Sequence, residues 1–110
     1  MRGFRGRRPG QLRRADSEDV RHLREFATSR TGVEAFVEPP TAVTATTVVF
    51  VAGSGEWTRR RIADAAAAHS LANALSVPSY DAAVVGYPQR MRAWNARQKS
   101  EDQQRRATEG

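Results

Sequence analysis

The stretch Thr46-Thr-Val-Val-Phe-Val-Ala-Gly-Ser-Gly-Glu-Trp-Thr-Arg-Arg-Arg-Ile62 decides the fold class of this chain. Threonine and valine dominate residues 41–52, which favours an extended, pleated conformation over a helix. Gly53-Ser54-Gly55 supplies the permissive backbone of a tight connection, and residues 56–62 alternate in polarity again. The stretch therefore predicts a β-hairpin.

The residues before the hairpin predict a helix and one further strand. Asp16 or Ser17 can cap a helix whose apolar residues recur at helical spacing, and Gly32 is placed to end it. From residue 33 the apolar period changes to two, until Pro39-Pro40 stops the hydrogen-bond ladder. Residues 33–38 therefore predict a half-buried strand.

The residues after the hairpin predict a helix, a short strand and a last helix. Asp64 can cap an alanine-rich helix, residues 77–81 suit a short strand, and Pro88 suits the first turn of a helix anchored by Met91 and Trp94. This order predicts an α+β fold: a small antiparallel sheet of three to four strands with a β-hairpin, covered on one face by about three helices.

The chain's 110 residues predict a single domain with two tails. Residues 1–15 are rich in glycine and arginine and are expected to form a disordered basic tail. We expect one compact domain over residues 16–94, followed by a polar, frayed or disordered tail over residues 95–110.

The net charge of +6 lies at the ends of the chain. Residues 1–14 carry +6, residues 15–89 sum to −3, and residues 90–110 carry +3. The segment that holds Arg5, Arg7 and Arg8 resembles arginine–glycine segments that bind RNA without sequence preference. The alternative interpretation is a solvated tail.

Several kinds of site are not indicated by the sequence. The chain has no cysteine, and its only histidines are His22 and His69, so we predict no disulfide, no metal site and no catalytic thiol. Gly53-Ser-Gly55 lacks the third glycine and the following helix of a dinucleotide-binding loop, so no cofactor is predicted. The longest apolar run is too short for a membrane span, and a cytoplasmic location fits.

Residues Trp57 to Arg61 form the most distinctive run within the domain. In a strand, Trp57, Arg59 and Arg61 share one face, an arrangement that suits base stacking and phosphate contact. In the alternative interpretation, Trp57 covers the sheet while the arginines lie over it and pair with nearby glutamates. The sequence gives no register that separates the two.

The last helix also offers two interpretations. Arg90 and Arg92 could be presented to a partner, or Met91 and Trp94 could dock the helix onto the core.

Short motifs within residues 32–94 resemble a family of small uncharacterised actinobacterial proteins, whose members often carry the label "oxidoreductase". The motifs are Gly32-Val-Glu-Ala-Phe-Val-Glu-Pro-Pro40, Thr46-Thr-Val-Val49, Gly55-Glu-Trp-Thr-Arg-Arg-Arg61, Val77-Pro-Ser-Tyr-Asp81 and Gly86-Tyr-Pro-Gln-Arg-Met91. The resemblance brings no catalytic or cofactor residues with it.

The first functional hypothesis is a non-enzymatic cytoplasmic binding module that contacts RNA or DNA through arginines and an aromatic side chain. One alternative is a protein-interaction or homodimerising scaffold that uses a sheet edge or the last helix. The other is a small oxidoreductase, which the family resemblance alone implies.

Overall fold

The computed structural model describes the backbone of residues 9–109 and the side chains of residues 17–109. Both helices and strands are present, so the predicted α+β class is confirmed. The elements, in chain order, are α1 (Pro9–Ser29), β1 (Glu34–Glu38), β2 (Thr47–Val51), β3 (Trp57–Arg61), α2 (Ala65–Ala74), β4 (Ser79–Asp81), α3 (Ala82–Val85) and α4 (Gln89–Glu109).

The strands form one sheet in the order β3-β2-β1-β4. The predicted hairpin is confirmed, since β2 and β3 are antiparallel and the Ala52 amide donates to the Glu56 carbonyl at 2.8 Å. The prediction of a fully antiparallel sheet is wrong, because β4 pairs with β1 in parallel. Helix α2 supplies the crossover that a parallel neighbour needs.

Helices α1 and α2 cover one face of the sheet. Asp64 caps α2 as the sequence predicts, by accepting a 2.8 Å hydrogen bond from the Ala67 amide. The small alanines of α2 let this helix approach the strands closely. The core on this side contains Leu23, Phe26, Val33, Ala35, Val37, Val48, Phe50, Ala52, Ala68, Ala72 and Val77.

The opposite face is also covered, which corrects the prediction that helices lie on one side only. Phe36, Val49 and Val51 are buried there against Ala82 of α3 and Met91 of α4. The apolar run of β2 therefore reflects a strand buried on both faces, and such a strand must be covered twice. For the same reason β1 is more deeply buried than its alternating pattern predicts.

Both terminal helices are longer than the sequence predicts. Helix α1 begins at Pro9, so residues 9–15 are helical where the sequence predicts a disordered tail; residues 1–8 lie outside the described residues. Proline suits the first turn of a helix, and Gln11 to Ala15 are mostly good helix formers.

Helix α4 continues through the predicted frayed or disordered tail as far as Glu109. Its last turns are exposed and rich in straight-chain glutamine and arginine, with an Arg105–Asp102 ion pair at 3.1 Å, which favours helix without a core contact. No helix within residues 9–109 combines the length and the apolar character needed to cross a bilayer.

Two glycines with positive φ allow a test of the close approach between α4 and the hairpin. A Cβ at Gly55 would lie 2.1 Å from the Arg90 carbonyl oxygen, whereas a Cβ at Gly86 would meet nothing within 4 Å. Gly86→Ala is expected to cost about 1–3 kcal/mol from backbone strain alone. Gly55→Ala should lower the free energy of unfolding by more, because strain and overlap add. Urea denaturation measures both values, and equal costs would contradict the close packing.

Candidate functional site

Glu38, the last residue of β1, is the centre of a hydrogen-bond network. Its Oε1 accepts from Arg59 Nε at 2.8 Å and from Thr47 Oγ1 at 2.5 Å. Its Oε2 accepts from Arg59 Nη2 at 3.0 Å and from the Tyr87 hydroxyl. These donors fill the acceptor positions of a carboxylate, so Glu38 orients its neighbours and is not available as a ligand-binding group.

The network fixes the protonation states of its members. Burial would raise the pKa of Glu38, but hydrogen bonds from Arg59, Thr47 and Tyr87 outweigh it and hold that pKa below its ordinary value. Burial and the hydrogen bond to Glu38 raise the pKa of Tyr87. At neutral pH Glu38 is therefore ionised and Tyr87 is a neutral donor.

A solvent-open cleft of about 490 Å³ lies over this network. Arg59, Glu38 and Thr47 line it from the sheet, and the β1–β2 connection, α3 and Tyr87 supply the remaining walls. Sequence analysis missed this cleft, because Glu38 and Tyr87 lie 49 residues apart and no local pattern relates them.

Trp57 and Arg59 lie on the same side of β3, as the alternation predicts. Arg59 sits over the Trp57 ring, with 5.2 Å between its Cζ atom and the ring centroid, and the indole Nε1 donates to Asn95 Oδ1 at 2.8 Å. Together with the Arg59–Glu38 ion pair, this is the arrangement of the alternative interpretation. Base stacking on this face of Trp57 would have to displace Arg59.

Arg90 and its neighbours dock α4 onto the sheet. Arg90 Nη2 donates to Glu34 Oε1 at 2.6 Å, and its Nε donates to the Ala52 carbonyl at 2.9 Å. Met91 is buried, and the Cβ of Trp94 lies against Gly55. Arg90 is therefore engaged within the fold.

Two other sets of predicted arginines differ from these. Arg92 is exposed and makes no hydrogen bond or ion pair with other side chains in the described part of the chain. Arg5, Arg7 and Arg8 lie outside the described residues.

Four exposed arginines lie around the junction of α1 and β3: Arg21, Arg24, Arg60 and Arg61. We call this set the arginine surface. None of the four makes a hydrogen bond or an ion pair with a side chain of residues 17–109. Sequence analysis named only Arg61 among them, because nothing local to the sequence brings α1 beside β3.

Contacts of α1 place the members of the arginine surface near one another. His22 Nε2 lies 2.7 Å from Thr58 Oγ1, which brings α1 against β3. Burial, and then the positive charge of Arg60, lower the pKa of His22, so the ring is close to Arg60. Val20 lines one groove with Arg61 and an adjoining groove with the two arginines of α1.

Comparisons with known proteins add no assignment to this geometry. No protein-family model, curated protein or solved structure matches this chain. The actinobacterial resemblance therefore stays a prediction from the sequence. Within the described residues, no three histidine, aspartate or glutamate side chains are grouped so that they could hold a metal ion.

The pKa of Glu38 predicts how stability depends on pH. Its folded pKa is below the ordinary glutamate value of 4.5, so its contribution is present above pH 4.5 and is lost as the pH falls through the folded pKa. Glu38→Gln should cost about 2 kcal/mol at neutral pH, since it removes charge-assisted hydrogen bonds. Below pH 4.5 the variant should lose less stability than the wild type does.

Denaturant unfolding at a series of pH values measures this difference. Glu101→Gln, at an exposed position of α4, is the matched control and should keep the wild-type pH dependence. An unchanged pH dependence in Glu38→Gln would contradict the role assigned to the network.

Proposed function

We propose that the protein is a non-enzymatic cytoplasmic module that binds RNA or DNA through phosphate contacts. The arginine surface and the arginines of the amino-terminal segment supply these contacts. The observation that supports the proposal is the group of exposed arginines at the α1–β3 junction, in a domain whose other arginines are largely paired.

Ion pairing separates two classes of arginine in the domain. Arg30, Arg59 and Arg90 are held by Glu56, Glu38 and Glu34, at distances of 2.7, 2.8 and 2.6 Å. A phosphate would have to compete with those carboxylates. The arginine surface meets no such competition from described side chains, and a guanidinium suits the geometry of a phosphate.

Helix α1 connects the arginine surface to the basic end of the chain. The helix contains Arg13 and Arg14 as well as Arg21 and Arg24, and position 21 follows position 14 after two helical turns. At 1.5 Å per residue the helix is about 30 Å long, enough to follow several phosphates. Residues 1–8 contain four more arginines.

The contacts of Trp57 bear on specificity. Since Arg59 lies over the ring and Asn95 holds the indole N–H, the proposed binding depends on phosphates and not on base stacking. Binding should therefore be independent of sequence and should weaken steeply as the salt concentration rises.

Paired substitutions test the arginine surface. Arg21→Gln with Arg24→Gln, or Arg60→Gln with Arg61→Gln, should each weaken binding to single-stranded RNA. The salt slope should fall by about 1.4 on single strands, since each lost phosphate contact removes about 0.7. Fluorescence anisotropy of a labelled oligonucleotide across a salt series measures affinity and slope together.

The control for this experiment removes the same charge elsewhere. Lys99→Gln with Arg106→Gln, on the exposed part of α4, should leave the slope close to that of the wild type. Equal losses in control and test variants would show that only net charge matters. No affinity for RNA or duplex DNA at low salt would overturn the proposal.

A homodimerising scaffold is the second candidate function, and one observation favours it. Val84 and Val85 of α3 are 79% and 54% exposed, next to the edge strand β4. Met91 and Trp94 are used within the fold, so the sheet edge is the part of this hypothesis that remains. Exposed apolar side chains beside an edge strand suit a second copy of the chain.

Sedimentation over a concentration series tests this second candidate. Association should be concentration-dependent, and Val84→Lys should reduce it, because burying a lysine at the contact is costly. Val43→Lys, at a site that is 90% exposed in the β1–β2 connection, is the control. A strict monomer at all concentrations would exclude the scaffold.

A further inference from the structure

The cleft over Glu38 has the size and lining of a small-molecule site. Its volume of about 490 Å³ lies within the usual range for such sites, which combine apolar walls with a few placed polar groups. Here Pro39, Ala82, Ala83 and the Tyr87 ring form the apolar walls. The available hydrogen-bond donors come from Arg59 and the threonine-rich β1–β2 connection.

Arg59 is oriented toward the cleft before any ligand arrives. Glu38 holds its Nε and Nη2 atoms, while no hydrogen bond within the described residues uses Nη1. The Arg59 side chain is 43% exposed and lines the cleft. A guanidinium fixed in this way loses little conformational entropy when it binds an anion.

The hydroxyl of Thr44 is a second donor at the same cleft. Thr41 Oγ1 accepts from the amides of Val43 and Thr44, at 3.2 and 3.0 Å. Because both of its lone pairs are used, Thr41 donates its own proton to Thr44 Oγ1, 2.7 Å away. The hydroxyl hydrogen of Thr44 is then available to a ligand.

The charge of the cleft favours a ligand with a single negative charge over a doubly charged one. Glu38 compensates Arg59, so the pair is neutral overall, and a doubly charged phosphate would be poorly balanced. We propose that the cleft binds a small monocarboxylic acid with an apolar body. Its carboxylate accepts from Arg59 Nη1 and Thr44 Oγ1, its body packs on Ala83 and the Tyr87 ring, and Glu38 acts as a positioning residue.

Phenylacetate and its neutral counterpart 2-phenylethanol are suitable probes. In amide NMR spectra of the full chain, phenylacetate should shift the amide signals of residues around the cleft, including those of Thr44 and Ala83. The affinity for the alcohol should be at least about tenfold lower, because the alcohol lacks the charge-assisted hydrogen bonds. Equal affinities for acid and alcohol, or no shifts with either, would overturn the proposal.

Variants locate the binding within the cleft. Ala83→Leu fills the cleft from an exposed position and should abolish the shifts, whereas Val84→Leu on the same short helix should leave them unchanged. Thr44→Val should weaken phenylacetate several-fold and should weaken the alcohol less, because the alcohol oxygen accepts only a neutral hydrogen bond. The same spectra report whether each variant is folded. Wild-type affinity in both Ala83→Leu and Thr44→Val would contradict the site.

Discussion

The Glu38 carboxylate accepts hydrogen bonds from three separate parts of the chain: Thr47 on β2, Arg59 on β3 and Tyr87 between α3 and α4. Only 16% of the Glu38 side chain is exposed, so its negative charge must be compensated by hydrogen bonds and an ion pair. Losing any of the three donors would leave a buried charge less well compensated, which favours the arrangement that keeps all three in contact. Tyr87 thereby ties the α3–α4 segment over the second face of the sheet. That face needs a cover because β2 is apolar on both sides. The cleft is the space between this cover and the strands.

Glutamates also decide which arginines are available to a ligand. Three glutamates are used in ion pairs that hold the tertiary structure together. The arginine surface therefore stays unpaired with described side chains, although the domain as a whole is close to neutral. Arg60 and Arg61 alone do not require a ligand, because charges on an edge strand prevent it from pairing with other chains. Arg21 and Arg24 lie on a helix, where no edge needs protection. They are the residues that favour a polyanion partner over edge protection.

Features that depend on residues close together in the sequence could be predicted. Features that depend on contacts between distant parts of the chain could not. The hairpin and the Asp64 cap follow from local turn and capping chemistry, and both are present. The parallel position of β4 depends on where α2 returns the chain, which no local pattern encodes. For Arg59 the sequence offered glutamate pairing as an alternative, but only the side-chain contact in the structure identifies Glu38 as its partner. The strand register places Arg61, not Arg59, in line with Glu38 across Thr47. No pattern in the sequence predicts the hydrogen bond between Tyr87 and Glu38, because the two residues lie 49 positions apart.

Arg59 of the cleft and Arg60 of the arginine surface lie on opposite sides of β3. Arg59 lies over Trp57 on the side that α4 covers, while Arg60 lies near His22 on the side of α1, because successive strand residues face opposite ways. A change at Arg59 therefore disturbs Glu38 and Tyr87 and alters stability together with the cleft. A change at Arg60 alters surface charge without touching that network. Loss of nucleic-acid binding with unchanged stability would thus belong to the α1 side of the strand, and the cleft would be unaffected.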